Sequence, residues 1–504
     1  MSFLPETYIA FVRDRLRGIL VGVAVVMTLI SVTLVTSPPS SKGTAPGKIK
    51  TTDQEGLTTG PAGSEVVAGP SADPASPGAT AAAPRRRASA GSSVARGSGG
   101  APLVGGLGPG VTTDSIRVGF ITISNNSKML GNYGVRGGAI GDTREQIDAV
   151  VADLNSRGIL GRKIAPVYRD FDATPGLPDQ FPTICTAFTQ DEKVFAVLSP
   201  WNTTPAFHAC LAKAGTLYIT DGLEQEDIET IEEFKPYIAT GLFASSRGAV
   251  ALAHALHQQG FFAPGTKLGI VRTNTPTGQR VSDKHFKPAL ASFGVTPVDE
   301  TTSGLNKAGS DAAQRFAAKG IDRVAFITAR GGPALGFMAG AQSQGNYNPR
   351  YGLASPDGPA FLAQNAPYTQ MQGAVGAGWM PGGDVLDAEG PPFTDAEKRC
   401  LEVHKKAGTD YGTRNEGAMV ALLFCDIAWL FEEAAVKAGS TLNAGSWAAG
   451  LAQLGTSHQT AATFGTNFAP GIFDGAFQFR ALAYDDSPSC RCFRYTGPPQ
   501  NVPR

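Results

Sequence analysis

The stretch 193-KVFAVLSPWNTTPAFHACLAKAG-215 decides how the chain is read. Its apolar run VFAVL has the length and β-branched content of a buried strand. It breaks at Ser-Pro-Trp-Asn-Thr-Thr and resumes with helical spacing. A strand passing directly into a helix predicts a parallel α/β fold.

The same alternation extends in both directions. IRVGFITI at 116–123 reads as a strand, and 142-DTREQIDAVVADLNSRG-158 as a helix with Ile147, Val150, Val151 and Leu154 on one face. Thr143 with Gln146 fits a capping box, and Gly158 supplies the stop. KIAPVYRDFD, VFAVL and TLYIT follow as strands, with helices around Cys185 and Cys210 between them. The pattern restarts after about residue 240. Strands are expected at LGIVRT, VTPVDET and RVAFITA, and helices over 246–260, 278–293, 309–319 and 333–344. A last long helix, 415-NEGAMVALLFCDIAWLFEEAAVKAG-439, closes with a C-terminal glycine. Two rounds of alternation predict two α/β lobes with parallel sheets.

At 504 residues the chain is too long for one ordinary core. Its 43 basic and 43 acidic residues balance, which argues against nucleic acid as a partner. Residues 1–17 include Arg13, Arg15 and Arg17 and precede an uncharged run, 18-GILVGVAVVMTLISVTLVT-36. Such a run spans a bilayer as a helix, and the arginines keep residues 1–17 cytoplasmic. With no small-x-small cleavage site beside it, an anchor is favoured over a cleaved signal peptide. The folded part is then expected outside the cell membrane on a single-pass anchor. Residues 37–113, rich in Pro, Ala, Gly and Ser, offer little to bury and read as a disordered tether.

Export permits disulfides. Cys185 and Cys210 lie 25 apart, as do Cys400 and Cys425, each pair on successive expected helices. On one strand, alternate residues such as Cys490 and Cys492 stand about 7 Å apart, around the reach of a disulfide, so direct pairing needs a bent backbone. No zinc spacing, G-x-S-x-G, Walker A run or H-E-x-x-H is present, so no cofactor, metal site or enzymatic activity is expected.

Taken together, DAVVADLNSRGILGRKI, YRDFDATP, DEKVFAVLSP, KLGIVRTNTPTGQ, RVAFITARGGPALGFMAGAQSQG and GAVGAGW resemble type I periplasmic solute-binding proteins. These include the leucine/isoleucine/valine-binding proteins that serve ABC importers. The resemblance covers residues 114 to about 496. It implies two Rossmann-like lobes joined by a three-strand hinge, 114–241 with 374–469 and 242–373 with 470–504, closing on a ligand between them. It also implies a permease as partner and an amino-acid-like or carboxylate-bearing ligand. A sensing ectodomain of the same fold is the alternative function.

Ligands of open α/β sheets bind beyond the C-terminal strand ends. That places Ser199, Trp201, Asn202, Thr203 and Thr204 as first candidates, because helix N-terminal amides and hydroxyls suit a carboxylate. A plain helix cap explains Thr203 or Thr204 equally well. The loop 122–134 adds Ser124 and Tyr133, and the loop 219–227 adds Asp221 and Gly222. Asp357 stands where relatives carry an acid for the ligand ammonium, and Pro-Asp-Gly makes it an equally good turn residue. Where many relatives have Tyr-Gly after the LGIVRTN strand, this chain has 276-PTGQ-279, with Thr277 in place of the ring. That departure implies a specificity different from standard branched-chain amino acids.

Overall fold

The computed structural model describes residues 106–131, 139–174, 180–222, 226–305, 307–328, 331–385 and 390–502. The apolar run 18–36, the tether up to residue 105, and Tyr133 lie outside the described residues. Among the described residues no helix is long and apolar enough to cross a membrane.

The first sheet holds β1 (Ser115–Ser124), β2 (Lys163–Asp172), β3 (Ala196–Leu198), β4 (Leu217–Ile219) and β5 (Ile238–Ala239). All its pairings are parallel, in the order β2-β1-β3-β4-β5. The second sheet is built from β6 (Leu268–Arg272), β7 (Asp299–Thr302), β8 (Arg323–Ile327), β9 (Arg350–Ala354) and β10 (Val375–Gly378), in the order β10-β9-β8-β6-β7. Its β11 (Gln478–Asp485) and β12 (Cys492–Tyr495) extend the β10 edge antiparallel, and β13 (Gln500–Asn501) pairs with β11. Both parallel portions therefore share one topology, in which the second strand lies on one side of the first and the later strands on the other.

Each sheet has its own core. Ile116, Val118, Phe120, Val197 and Leu198 of the first are buried against Ile147, Val150, Phe424 and Trp429. Ile270, Ala325 and Ala377 of the second are buried against Leu252, Leu256 and Phe286. We refer to each sheet with its helices as a lobe. The chain passes between the lobes after Ala239, after Gly378 and before Gln478.

Most expected elements form near their expected limits, with four adjustments. The helix Thr143–Arg157 (α1) is capped by Asp142, whose carboxylate accepts from Arg144 and Glu145 amides. Gln146 is thereby freed to donate to Ile140 O, Tyr411 OH and Gly417 O. Val375–Gly378 belongs to the second sheet between β9 and β11, so the return expected near residue 374 comes after Gly378. Residues 106–113, expected in the tether, pack on the first lobe. Val111 is buried there, the Gly108 amide donates to Leu442 O, and a Cβ at Gly108 would stand 2.6 Å from the Phe195 ring. Asn443 Nδ2 and Arg162 Nε donate to Gly106 O and Thr112 O, so backbone acceptors as well as Val111 hold this short segment.

The fourth adjustment concerns the cysteines. Cys185–Cys210 and Cys400–Cys425 are bonded, each across 25 residues and between two helical segments. Cys490 and Cys492 bond to each other, with Arg491 at φ 48° supplying the bend that an extended strand lacks.

Candidate functional site

In a sheet of this order, the strands on either side of the first strand lead to helices on opposite faces. A crevice opens at their C-terminal ends. In the first lobe that place lies between β1 and β3, where Ser124 and Ser199 stand. In the second it lies between β6 and β8, where Thr273 and Thr328 stand.

The second-lobe crevice is an open recess. Thr273 and Thr328 line it at the strand ends, with Thr277 and Gly278 from the helix Pro276–Val281. The helix Ser245–Gln258 (α2) adds Ser245, Gly248, Ala249 and Leu252, which share one face at the spacing i, i+3, i+4, i+7. Val281, Phe326, Ile327, Ala354 and Pro356 make most of the remaining wall apolar. Asp357 and Trp379 complete it. An apolar hollow with a few placed polar groups is the usual form of a small-molecule site.

The polar groups differ in what they already hold. Asp357 is fully buried and accepts from Thr328 Oγ1, from the Thr328 amide at 3.3 Å and from the Ala354 amide at 2.8 Å. Burial pushes its carboxyl up to about 7, and those three donors only partly offset it. Thr277 Oγ1 accepts from Arg280 at 3.3 Å, and Thr273 Oγ1 lies 3.4 Å from Thr275 Oγ1. The Ser245 hydroxyl and the Trp379 indole N–H are buried with no hydrogen-bond partner. Trp379 follows directly on β10 and is 1 % exposed. Its ring meets Phe243 edge-on, and its amide donates to Ser355 Oγ at 2.7 Å. Gly248 leaves room opposite it, since a Cβ there would stand a tight 3.0 Å from the indole.

The first-lobe candidates are placed differently. Thr204 caps the helix Pro205–Ala214, accepting from the Phe207 amide at 3.3 Å, so the capping role is filled. Thr203 Oγ1 lies 2.7 Å from His208 Nε2 and donates to Tyr218 OH at 3.2 Å. Burial pulls His208 down to about 3, so its 3.3 Å approach to Glu226 is not a charge pair. Ser199 is buried and accepts from the Trp201 amide, while Trp201 Nε1 donates to Ile121 O at 2.8 Å and its ring meets Phe424 edge-on. Asn202 is buried near Gly222, whose amide donates to Thr220 Oγ1. Ser124 Oγ donates to Asp170 at 2.6 Å.

Asp221 lies at the lobe junction. It accepts from Thr240 Oγ1 at 2.9 Å and the Gly241 amide at 2.8 Å, and it sits against Asp426. Of the expected residues, the recess therefore brings together Thr277 and Asp357. It adds Ser245, Thr273, Thr328 and Trp379, which the sequence reading did not single out. The signal for Trp379 was an aromatic at the end of the GAVGAGW strand.

The lobes also touch directly. Asp227 of the first lobe, fully buried, accepts from Arg280 of the second at 2.7 and 3.0 Å. Glu229 faces His285 and Lys284 at 3.1 and 3.3 Å. Burial pushes Asp227 up, but Arg280 and Thr230 outweigh it and hold it below its ordinary value.

Comparison with known proteins gives the same architecture. A substrate-binding protein of a Desulfitobacterium hafniense ABC transporter, solved with Leu, is 17% identical over 76% of this chain and 100% of its own, with a TM-score of 0.52. A branched-chain amino acid ABC transporter protein from Thermus thermophilus, solved with valine, is 17% identical over 77% and 97%, with a TM-score of 0.57. A solute-binding protein from R. palustris, solved with 4-hydroxybenzoate, is 18% identical over 77% and 98%, with a TM-score of 0.58. At these identities the likeness shows the fold alone. No functionally curated protein matches the chain. The profile of the periplasmic binding proteins, however, matches residues 121–474, most of the described chain, and by that match the chain belongs to the periplasmic binding protein family.

Proposed function

We propose that the chain is an extracytoplasmic solute-binding protein, held at the cell membrane by the 18–36 segment, that captures a small carboxylate-bearing molecule for an ABC importer. The observation that carries this reading is the recess at the topological switch point of the second sheet, mostly apolar and edged by hydroxyls and one indole N–H. Family membership supports the class of function, and the solved relatives carry leucine, valine or 4-hydroxybenzoate. Such capture needs no covalent step.

Thermal unfolding of the full chain against a panel of amino acids, aliphatic acids and aromatic acids tests the reading. A true ligand at a hundredfold excess over its Kd stabilises by about 2.7 kcal/mol through linkage. A rise in Tm of several degrees for at least one compound is expected. A flat response across the panel contradicts solute capture.

A further inference from the structure

Resting on the solute-binding reading, we propose that the second-lobe recess takes a small carboxylate with an apolar body and no ammonium group. Ser245 Oγ and Trp379 Nε1 would be the donors to its carboxylate.

Two features of the recess select the charge of the guest. First, the side-chain polar groups without a partner are both able to donate: the Ser245 hydroxyl and the Trp379 N–H, each buried. An unpaired buried donor is costly, so this pair is built for an acceptor that arrives from outside. Ser245 also opens the 14-residue α2, whose N-cap position is Ala244 and has no side-chain cap.

Second, the recess offers no free anion to a cation. Its acid is Asp357, whose oxygens already take three donors and which is shut off from solvent. The hydroxyls of Thr273, Thr277 and Thr328 each hydrogen-bond a neighbour and carry no charge to pair with an ammonium. An ammonium placed here would lose its hydration without an anionic partner, which is strongly unfavourable. Leu252, Val281, Phe326 and Ile327 then leave room for an aliphatic or aromatic body.

Calorimetric titration of the full chain with benzoate, 4-methylpentanoate and leucine tests this, because the last two differ only in the ammonium group. At least one of the two acids should bind one to one, and leucine at least about tenfold more weakly than 4-methylpentanoate. Trp379→Phe keeps the ring and removes the donor, and Ser245→Ala removes the other. Each should weaken the acid by about tenfold while Tm without ligand stays within a few degrees. If Trp379→Phe unfolds, Ser245→Ala alone decides. Leucine binding as tightly as 4-methylpentanoate overturns the proposal. So does acid binding untouched by Ser245→Ala, or the absence of acid binding at millimolar concentration. Those outcomes leave solute capture standing wherever the wider thermal panel still finds a ligand, whereas a flat panel removes the broader reading as well.

Discussion

The carboxyl groups of Asp221 and Asp426 converge on Gly241. A Cβ at that glycine would stand 3.3 Å from Asp221 Oδ2 and 2.7 Å from Asp426 Oδ2. Both acids are fully buried at the lobe junction, Asp221 at the end of β4 and Asp426 on the helix Glu416–Ala438. Asp426 also accepts from Thr460 Oγ1 at 3.0 Å and the Ala461 amide at 2.6 Å, and His458 Nε2 lies 3.7 Å from it. Burial and the neighbouring Asp426 push Asp221 well up. Burial pushes Asp426 up too, but His458 outweighs it and holds Asp426 down. These opposite directions favour the proton on Asp221 and the charge on Asp426.

The two acids should therefore respond unequally to amide substitution. Asp221→Asn keeps one acceptor and one donor where the protonated acid has them, and should cost less than about 1 kcal/mol. Asp426→Asn strips the buried His458 cation of a counter-charge and should cost about 3 kcal/mol. Denaturant midpoints measure both, and equal losses would contradict this proton assignment.

His458 makes stability depend on pH. Burial would lower it, but Asp426 and Glu433, the latter 2.9 Å from Nδ1, outweigh that and hold it up at about 10. A raised folded pKa means that the folded chain holds its proton longer than the unfolded one. The stabilisation is complete below about 6.5 and is lost as pH rises toward 10. His458→Gln should lower Tm at pH 6 and flatten its decline between pH 7 and 10. An unchanged slope in that window would contradict a charged His458.

Arg280 bridges the lobes to a carboxylate that has no exposure of its own. Arg280→Met leaves Asp227 buried with only Thr230 as partner, a loss of about 1–3 kcal/mol. Lys307→Met removes the exposed pair with Asp311 and should cost less than about 0.5 kcal/mol. Equal denaturant midpoints for the two variants would count against a working lobe-to-lobe contact.

The disulfides should rank by the chain they enclose. Cys400→Ala with Cys425→Ala opens a 25-residue loop and should cost about 3 kcal/mol, and the Cys185–Cys210 pair the same. Removing Cys490–Cys492, only two positions apart, should cost about half that. A larger loss for the short link would contradict loop entropy as the main term.

The α/β fold was legible in the sequence because strand and helix periodicities alternate cleanly: KIAPVYRDFD forms the strand Lys163–Asp172 at its expected limits. The family followed from the order of many weak motifs. The site was less legible. At Thr204 and Asp357, polar residues at strand ends do two jobs, and only side-chain geometry shows that one caps a helix and the other is closed by amides. Trp379 and Ser245 were missed because an unpaired donor is a property of three-dimensional surroundings, invisible in a strand-end GW or an SSRG helix start. The Asp221–Asp426 contact joins residues 205 positions apart (426 − 221), beyond the reach of local pattern.

The most direct test of solute capture in the second lobe is a crystal structure of the chain with its tightest-binding carboxylate from the thermal panel. The carboxylate should lie within 3.2 Å or so of Ser245 Oγ and Trp379 Nε1, with the apolar body against Leu252 and Phe326. A ligand seated instead on Ser199–Thr204, or outside the lobes altogether, would contradict it.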